Sequence, residues 1–305
     1  MGLLILFATA AALIIAVATL VLIQQLLRPA RKTYAVALAR RLATEPSELN
    51  FESYEQTFTF PDGLSSPGWV IDGHDANGPV VVVTHGWGDS RYGSLTRATV
   101  LAPFVSKLVM YDLRGHGEST APVSKLSTIE VDDLLAVLEQ IDHQGKPIVL
   151  FGASMGAGVS IVAAAKSNDA AIVGVIADGP YRFPLEPIIG QMLVYKIVPY
   201  PMVWLAQAHF SFWHGGLKGF DRMLHAQRLN CPLLVLHGNE DRICKYESGK
   251  AIADAAPNGK LITFEGGGHL DLAWFDEAKF CGALESFFDE VAGEPDRMPD
   301  YEKQE

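Results

Sequence analysis

The stretch VLFGASMGAG, residues Val149 to Gly158, combines an apolar run, a serine with a glycine two places to either side, and small residues that suit a helix. This pattern is typical of a nucleophile elbow, a sharp turn from a buried strand into a helix that exposes the hydroxyl of Ser154. Strand and helix pass close together at such a turn, so the flanking positions must be small, and Gly152 and Gly156 meet that need. The same spacing also arises by chance in a chain with 28 glycines, so the surrounding sequence has to decide.

The composition is that of a folded globular protein with a net negative charge. Of the 305 residues, 49% are hydrophobic and 19% are charged, which is enough apolar material for one large core or two modest ones. The net charge is −11 and the folded part carries no basic stripe. We therefore predict that the protein has no nucleic-acid partner.

The cysteines and histidines form no metal-binding pattern. Cys231, Cys244 and Cys281 include no C-x-x-C pair and have no histidine at zinc-ligand spacing, so each is predicted to be a small core residue. A sparse and odd number of cysteines also favours a reducing compartment. The sequence contains no H-E-x-x-H helix, no G-x-G-x-x-G turn and no P-loop. It therefore predicts no metal and no cofactor.

The N-terminus is far more apolar than the rest of the chain. Residues Leu3 to Ile23 include no charged side chain, and as a helix they would span about 31 Å, which matches the hydrocarbon core of a bilayer. A cleaved signal peptide is the alternative, but it requires a basic start, and Met1-Gly2 carries no basic side chain. We therefore predict that residues 1–28 form an uncleaved transmembrane anchor.

Basic residues follow this apolar stretch directly. No acidic residue occurs before Glu45, and the five basic residues ahead of it are Arg28, Arg31, Lys32, Arg40 and Arg41. By the positive-inside rule, the flank stays in the cytoplasm, and the domain that follows lies on the same side of the membrane. Residues 29–50 are predicted to form a basic, helical juxtamembrane linker.

From Phe51 onward, strand and helix signals alternate. Two extended stretches, Glu55–Phe60 and Gly68–Asp72, are predicted to pair as a hairpin. Short apolar runs then alternate with helical stretches, as in a mostly parallel α/β sheet with buried strands. The runs are Val80–Thr84, Leu108–Asp112, Ile148–Phe151, Ile172–Ala177, Leu233–His237 and Leu261–Phe264. The elbow serine thus follows a buried strand and precedes an alanine-rich helix, which is the context that its motif requires.

Two loops after the elbow carry residues that could activate Ser154. A serine nucleophile needs a base that takes its proton and an acid that orients the base, and after an elbow the acid precedes the histidine. Asp241 follows the strand that ends at His237, and His269 lies in the glycine-rich loop after the next strand. Both loops lie at the carboxyl edge of the sheet, where ligands bind in open α/β sheets. Glu240, in the same loop as Asp241, is the alternative acid.

Five segments together resemble the α/β-hydrolase family. They are VVVVTHGWG at residues 80–88, YDLRGHGES at 111–119, the elbow, LHGNEDRI at 236–243 and EGGGH at 265–269. The resemblance implies an α/β-hydrolase fold over residues 51–292, with about eight strands in a mostly parallel sheet, helices on both faces and a helical lid insertion.

The resemblance also implies the roles of individual residues. It implies Ser154, Asp241 and His269 as a catalytic triad, and it favours Asp241 over Glu240. In relatives with this pattern, two backbone N–H groups form the oxyanion hole, and they correspond to those of Trp87 and Met155. The histidine that corresponds to His116 belongs to a structural turn, and His85 is expected to brace the oxyanion-binding loop.

The lid is predicted at about residues 180–228. Tyr181–Gly216 is rich in aromatic and aliphatic residues, and its only charged side chains are Arg182, Glu186 and Lys196. Most of these apolar groups are interpreted as the buried face of a small helical cap, but a cap this apolar also gives the pocket an apolar wall. We predict that Phe212 and Trp213 belong to that wall. Residues 293–305 are polar and acidic, which predicts a disordered tail.

Taken together, these features predict a single-pass, membrane-anchored serine hydrolase that cleaves carboxylic esters or thioesters, with apolar or lipid-like substrates favoured. A serine peptidase or an acyltransferase on the same fold is the alternative enzyme. A membrane-tethered binding protein without activity is the alternative outside the enzymes, and the intact elbow and triad argue against it.

Overall fold

The computed structural model describes residues 1–213 and 220–293, without the side chain of Trp213. The strands in chain order are β1 (Ser53–Thr59), β2 (Ser65–Asp72), β3 (Val80–Thr84), β4 (Lys107–Tyr111), β5 (Ile148–Ala153), β6 (Ile172–Asp178), β7 (Leu233–Gly238) and β8 (Gly259–Phe264). The acidic tail predicted at residues 293–305 lies outside the described residues from position 294 onward.

All of these strands join one sheet. Among the described residues the sheet has eight strands in the order β1-β2-β4-β3-β5-β6-β7-β8. The predicted hairpin is confirmed, since β1 pairs antiparallel with β2, and β2 also runs antiparallel to β4. Every other neighbouring pair is parallel. The mostly parallel sheet therefore confirms the predicted fold class.

Helices cover both faces of the sheet and fill its crossovers. They are α1 (Gly2–Leu27), α2 (Tyr34–Ala39), α3 (Arg91–Ser94), α4 (Arg97–Leu101), α5 (Glu130–Glu139), α6 (Met155–Lys166), α7 (Glu186–Val194), α8 (Met202–Trp213), α9 (Arg222–Ala226), α10 (Tyr246–Ala255), α11 (Leu272–Phe275) and α12 (Glu277–Ala292). Short 3-10 turns cover Pro46–Leu49 and Ala102–Phe104. Helices α7, α8 and α9 lie between β6 and β7, where the helical lid was predicted.

The central strands are apolar on both faces because each face packs against helices. In β3, Val80 and Val82 belong to one buried cluster and Val81 and Val83 to the other. This alternation follows from the two-residue period of a strand. The first cluster includes residues of α5, α6 and α10, and the second includes residues of α4 and α12. Two hydrophobic layers therefore hold the sheet, which explains why the strand sequences are apolar runs and not alternating patterns.

The N-terminal helix α1 is long and apolar enough to cross a membrane, judged by its length and composition. Most of its side chains are exposed, as expected for a helix that does not pack in a protein core. Its last turns differ, because Thr19, Ile23 and Leu26 are buried. The C-terminal end of α1 therefore packs against the folded domain.

The segment at residues 29–50 is only partly helical. Helix α2 covers six residues and the 3-10 turn at Pro46–Leu49 covers four. The predicted helical linker is therefore helical only in these two short pieces. Ala37 is fully buried in the same cluster as Phe51 and Trp69. This segment is thus packed on the domain through apolar contacts, which its basic composition alone did not reveal.

Candidate active site

Ser154 occupies the turn between β5 and α6. Its backbone has φ 51° and ψ −108°, a conformation that residues with a side chain rarely adopt. A Cβ atom on Gly152 would lie 2.3 Å from the carbonyl oxygen of Gly156, and one on Gly156 would lie 2.0 Å from that of Thr84. Only glycine fits at either position, so the sequence motif reflects a close crossing of strand, helix and the end of β3. The tight turn holds the serine in a strained backbone conformation.

The structure brings Ser154, His269 and Asp241 together. The Nε2 atom of His269 lies 3.1 Å from Oγ of Ser154, although 115 residues separate them. On the other side of the ring, Nδ1 of His269 lies 2.7 Å from Oδ2 of Asp241. The three residues follow β5, β8 and β7, which are parallel, so their carboxyl ends meet at one edge of the sheet. This geometry permits proton transfer from the serine to the imidazole while the carboxylate holds the ring.

Asp241 is held as a carboxylate by several donors. Burial acts to raise its pKa, but hydrogen bonds from His237 and His269 and from the backbone N–H of Cys244 lower the pKa below the ordinary range of aspartate. Its Oδ1 atom accepts the N–H groups of Ile243 and Cys244, both at 2.8 Å. The Asp241 side chain therefore stays ionised although it is buried next to the imidazole of His269. Glu240, the alternative acid, is exposed, and the structure places Asp241 against His269.

The loop at residues 85–90, called the oxyanion loop below, lies against Ser154. A Cβ atom on Gly86 would be 3.5 Å from Cβ of Ser154. His85 braces the loop, since its Nδ1–H donates to the carbonyl of Gly86 at 2.8 Å and its Nε2 accepts the N–H of Leu113 at 3.0 Å. Within residues 1–213 and 220–293, no hydrogen-bond acceptor is assigned to the backbone N–H of Trp87 or of Met155. Their predicted role as the oxyanion donors stays a prediction.

Other polar residues in and after the strands have structural partners. His116 is fully buried, donates from Nδ1 to the carbonyl of Arg114, and has its pKa lowered to about 3 by burial. Asp112 pairs with Arg91 at 2.6 Å, and Asp178 pairs with Arg97 at 2.7 Å. These groups tie loops to the sheet edge and do not contact His269.

Cys244 lies next to the candidate site, a position that the sequence did not predict. It is buried, and its Sγ lies 3.9 Å from both Oγ of Ser154 and Nε2 of His269. Burial raises the pKa of this thiol, so it stays protonated and does not compete with the serine as a nucleophile. Its position three residues after Asp241 was the available signal, but the sequence predicted only a core cysteine. Cys231 is buried as predicted, whereas Cys281 is only partly buried.

The donor atoms of Asp241, Cys244 and His269 lie within 4.8 Å of one another, which is close enough to share a metal ion. However, the carboxylate faces Nδ1 of the ring and the thiol faces Nε2, on opposite sides of the imidazole. The short contact between Asp241 and Nδ1 uses the carboxylate as a hydrogen-bond acceptor. This arrangement suits a proton relay better than a shared metal ion.

A cavity of about 510 Å³ lies between α7, α8 and the start of α10. Its lining is mostly apolar and includes Leu185, Ile189, Tyr200, Val203, Trp204 and Lys245. Lys245 directly follows Cys244 in the chain, but none of the three residues Ser154, Asp241 and His269 lines the cavity. Phe212, on the same lid helix, is 78% exposed, and the side chain of Trp213 lies outside what the structure describes. The predicted role of these two residues in the pocket wall stays a prediction.

The fold and the site together define an α/β-sheet protein with a serine at a nucleophile elbow and a histidine and an aspartate in hydrogen-bond reach. A sequence model described as the alpha/beta hydrolase family matches residues 80–283, about two thirds of the chain. The chain belongs to the alpha/beta hydrolase family.

Two curated relatives and one solved structure illustrate the similarity. The chain is 24% identical over 205 residues to the lysophosphatidylserine lipase ABHD12 of Danio rerio, covering 64% of this chain and 51% of that protein. It is 25% identical over 229 residues to the monoglyceride lipase of Rattus norvegicus, covering 63% and 75%. The chain thus spans about half the length of the ABHD12 relatives that it matches.

The solved structure of an esterase from Pyrococcus furiosus superposes with a TM-score of 0.69 over 87% of this chain and 98% of that one. Its sequence is 21% identical, so the likeness shows a shared fold.

Proposed function

We propose that this protein is a serine hydrolase that cleaves carboxylic esters, with thioesters as the related substrate class. The observation that carries the proposal is the hydrogen-bond chain from Ser154 through His269 to Asp241, with heavy-atom distances of 3.1 and 2.7 Å. The names of the two curated relatives, which are lipases, support ester hydrolysis over amide hydrolysis or acyl transfer.

The reaction follows from the positions of these groups. Oγ of Ser154 attacks the acyl carbonyl carbon, and its proton passes to Nε2 of His269. The carbonyl oxygen, as it gains negative charge, accepts hydrogen bonds from the backbone N–H groups of Trp87 and Met155. When the tetrahedral intermediate collapses, the alcohol leaves with the proton from His269. A water molecule, deprotonated by His269, then attacks the acyl carbon, the bond to Oγ of Ser154 breaks, and Oγ takes the proton from His269 as the acid is released.

The mostly apolar cavity in the lid supports the proposal that the substrates are apolar. Each methylene group that becomes buried in such a cavity contributes about 0.8 kcal/mol, or roughly a fourfold gain in binding. We therefore expect kcat/KM for p-nitrophenyl esters to rise from acetate to butyrate to octanoate until the cavity is filled. Rates would be measured below the micelle concentration of each substrate. A preference for acetate would contradict an apolar acyl pocket and leave a serine hydrolase with a polar or short-chain substrate.

The same series tests which lid residues form the wall. Trp204 lines the cavity, so Trp204→Ala should flatten the rise with chain length and spare acetate hydrolysis. Leu205→Ala is the matched control, because this neighbouring side chain is 46% exposed and is not among the lining residues. The double variant of Phe212 and Trp213 to alanine tests the wall that the sequence predicted. An unchanged chain-length profile in Trp204→Ala would exclude this cavity as the acyl site.

We further propose that α1 anchors the protein in a membrane with the hydrolase domain on the cytoplasmic side. Its apolar length and the five basic residues after it support this orientation. We expect the protein to remain in the membrane pellet after alkaline carbonate extraction. A C-terminal reporter that is active only on the cytoplasmic side should be active. If instead only a reporter that works on the outer face were active, the hydrolase domain would lie outside and the proposed orientation would be wrong.

A further inference from the structure

We propose that the end of α1 and the basic segment after it hold the oxyanion loop in position, so that the N-terminal segment helps to align the N–H group of Trp87. This role rests on the proposed function, because it concerns the groups that would bind the oxyanion. It assigns Trp87, Lys32 and Asp89 as positioning residues, and it makes the membrane helix part of the catalytic unit as well as its tether.

The first contact joins Trp87 to the last turn of α1. The indole Nε1–H of Trp87 donates to the carbonyl of Leu26 at 3.2 Å. At a helix C-terminus, such carbonyls have no partner within the helix, so the indole satisfies one of them. Trp87 therefore has two roles: its backbone N–H is the predicted oxyanion donor, and its side chain is hydrogen-bonded to α1.

Apolar packing fixes the same end of α1. Leu26 is 1% exposed and Ile23 is 5% exposed. Both belong to a buried cluster with Val203 and Phe210 of α8, and Trp87 packs against that cluster. A helix end that is buried between the lid and the oxyanion loop restricts how both can move.

A second contact joins the basic segment to the other end of the oxyanion loop. Nζ of Lys32 lies 2.7 Å from Oδ1 of Asp89, and each side chain is about one quarter exposed. Asp89 comes two residues after Trp87, and its N–H donates to the carbonyl of Gly86 at 3.2 Å to close the turn. The ion pair therefore acts on the turn that presents the N–H of Trp87.

Arg31 anchors the segment between these two contacts. Its guanidinium donates to the carbonyls of Ser119 at 2.6 Å and Ala121 at 2.5 Å. The carbonyl of Leu27 accepts the N–H of Ser124 at 2.8 Å. Membrane topology requires only that positive charge follows α1, and it does not require these partners. The specific contacts indicate that the segment has a structural task on the domain.

The physical reason to expect an effect on catalysis is geometric. Oxyanion donors act at about 2.7–3.1 Å from the developing charge, and a displacement of about 1 Å in an active site can cost roughly 100-fold in rate. The oxyanion loop is short, and residues 87–89, which include its two contacts with the N-terminal segment, are only partly buried. Loosening either contact should therefore weaken binding of the transition state more than binding of the substrate.

The test uses the full-length protein in detergent micelles and short p-nitrophenyl esters. Trp87→Phe keeps an aromatic ring and the backbone N–H but removes the indole N–H that bonds the carbonyl of Leu26. We expect its kcat to fall about tenfold or more with KM within about twofold of wild type. Affinity for a boronic acid inhibitor, which mimics the tetrahedral intermediate, should weaken in parallel, while the Tm changes little.

The ion pair gives an independent test on side chains that are partly exposed. Lys32→Met and Asp89→Asn should each lower kcat, and the double variant should be no worse than either single one, because one interaction is lost in all three. Arg40→Met is the matched control, since it removes a charge from the same segment at an exposed position.

Two results would overturn the inference in distinguishable ways. Wild-type protein that neither hydrolyses esters nor labels with a fluorophosphonate would overturn the proposed function and this role with it. Active wild type, with Trp87→Phe, Lys32→Met and Asp89→Asn at wild-type kcat and inhibitor affinity, would overturn the positioning role alone.

Discussion

Ser154→Ala is expected to lower kcat for ester hydrolysis by about 10³-fold or more and to abolish labelling by a fluorophosphonate probe. The alanine has no oxygen to attack the acyl carbonyl, and water bound in its place would lack the fixed position that the elbow imposes. The fold should persist, because Ser154 contributes a small side chain whose hydroxyl, among the described residues, has only His269 and Cys244 within hydrogen-bond range. Steady-state kinetics and gel detection of the probe give the two readouts.

Ser160→Ala is the matched control for this experiment. Ser160 lies on α6, is fully buried, and has no assigned hydrogen-bond partner among the described residues. Its removal should leave both kcat and labelling near wild type. Normal ester turnover by Ser154→Ala would refute the assignment of the nucleophile, and equal losses in the two variants would indicate damage to the helix instead.

Asp241→Asn is expected to lower kcat by about 10⁴-fold, as for triad carboxylates elsewhere. The carboxylate accepts the Nδ1–H of His269 at 2.7 Å and stabilises the positive charge that the imidazole gains when it takes the serine proton. A carboxamide is neutral, and its amino group would favour the tautomer that carries the proton on Nε2, which cannot act as the base. Measurement of kcat at saturating substrate isolates this effect from substrate binding.

Glu240→Gln is the control for the aspartate variant. It removes a carboxylate from the adjacent position, but this side chain is exposed, so activity should change little. If Glu240→Gln lost activity and Asp241→Asn kept it, the acid would be the alternative that the sequence left open.

The pH dependence of stability adds a second readout for Asp241. Its pKa is lowered in the folded state, so its stabilising contribution is present above the ordinary aspartate pKa of about 3.9 and is lost as the pH falls below that value. The Tm values of wild type and Asp241→Asn should therefore converge towards acid pH. A difference that stays constant from neutral to acid pH would show that the carboxylate charge does not stabilise the fold.

Much of the fold could be predicted because its causes act locally along the chain. The Val80–Thr84 run predicted a strand buried on both faces, and the structure confirms it as β3. Gly152 and Gly156 predicted a close crossing of strand and helix, and the contacts of 2.3 and 2.0 Å explain why no larger residue fits there. A strand period and a steric clash each involve a few neighbouring residues or a single backbone turn, so the sequence records them directly.

Only some residues of the candidate site could be predicted from the sequence. Ser154, Asp241 and His269 could be selected by their order and by their places after strands, and the structure brings them together. Cys244 was interpreted as a core residue, although its thiol lies 3.9 Å from the serine. Its distance from the serine depends on how the loop after β7 bends back, and no local pattern of residues encodes that bend.

The sequence by itself determined the mostly parallel α/β architecture, the elbow and the apolar N-terminal helix, since periodicity, glycine spacing and hydrophobic length are properties of contiguous residues. Only the tertiary structure decided that Asp241 and not Glu240 faces His269, and that Leu26 and Lys32 contact the oxyanion loop. Residues 57 to 61 positions apart form those last contacts. Such pairings depend on strand order and on which helix end is buried, and these are settled by packing of the whole chain.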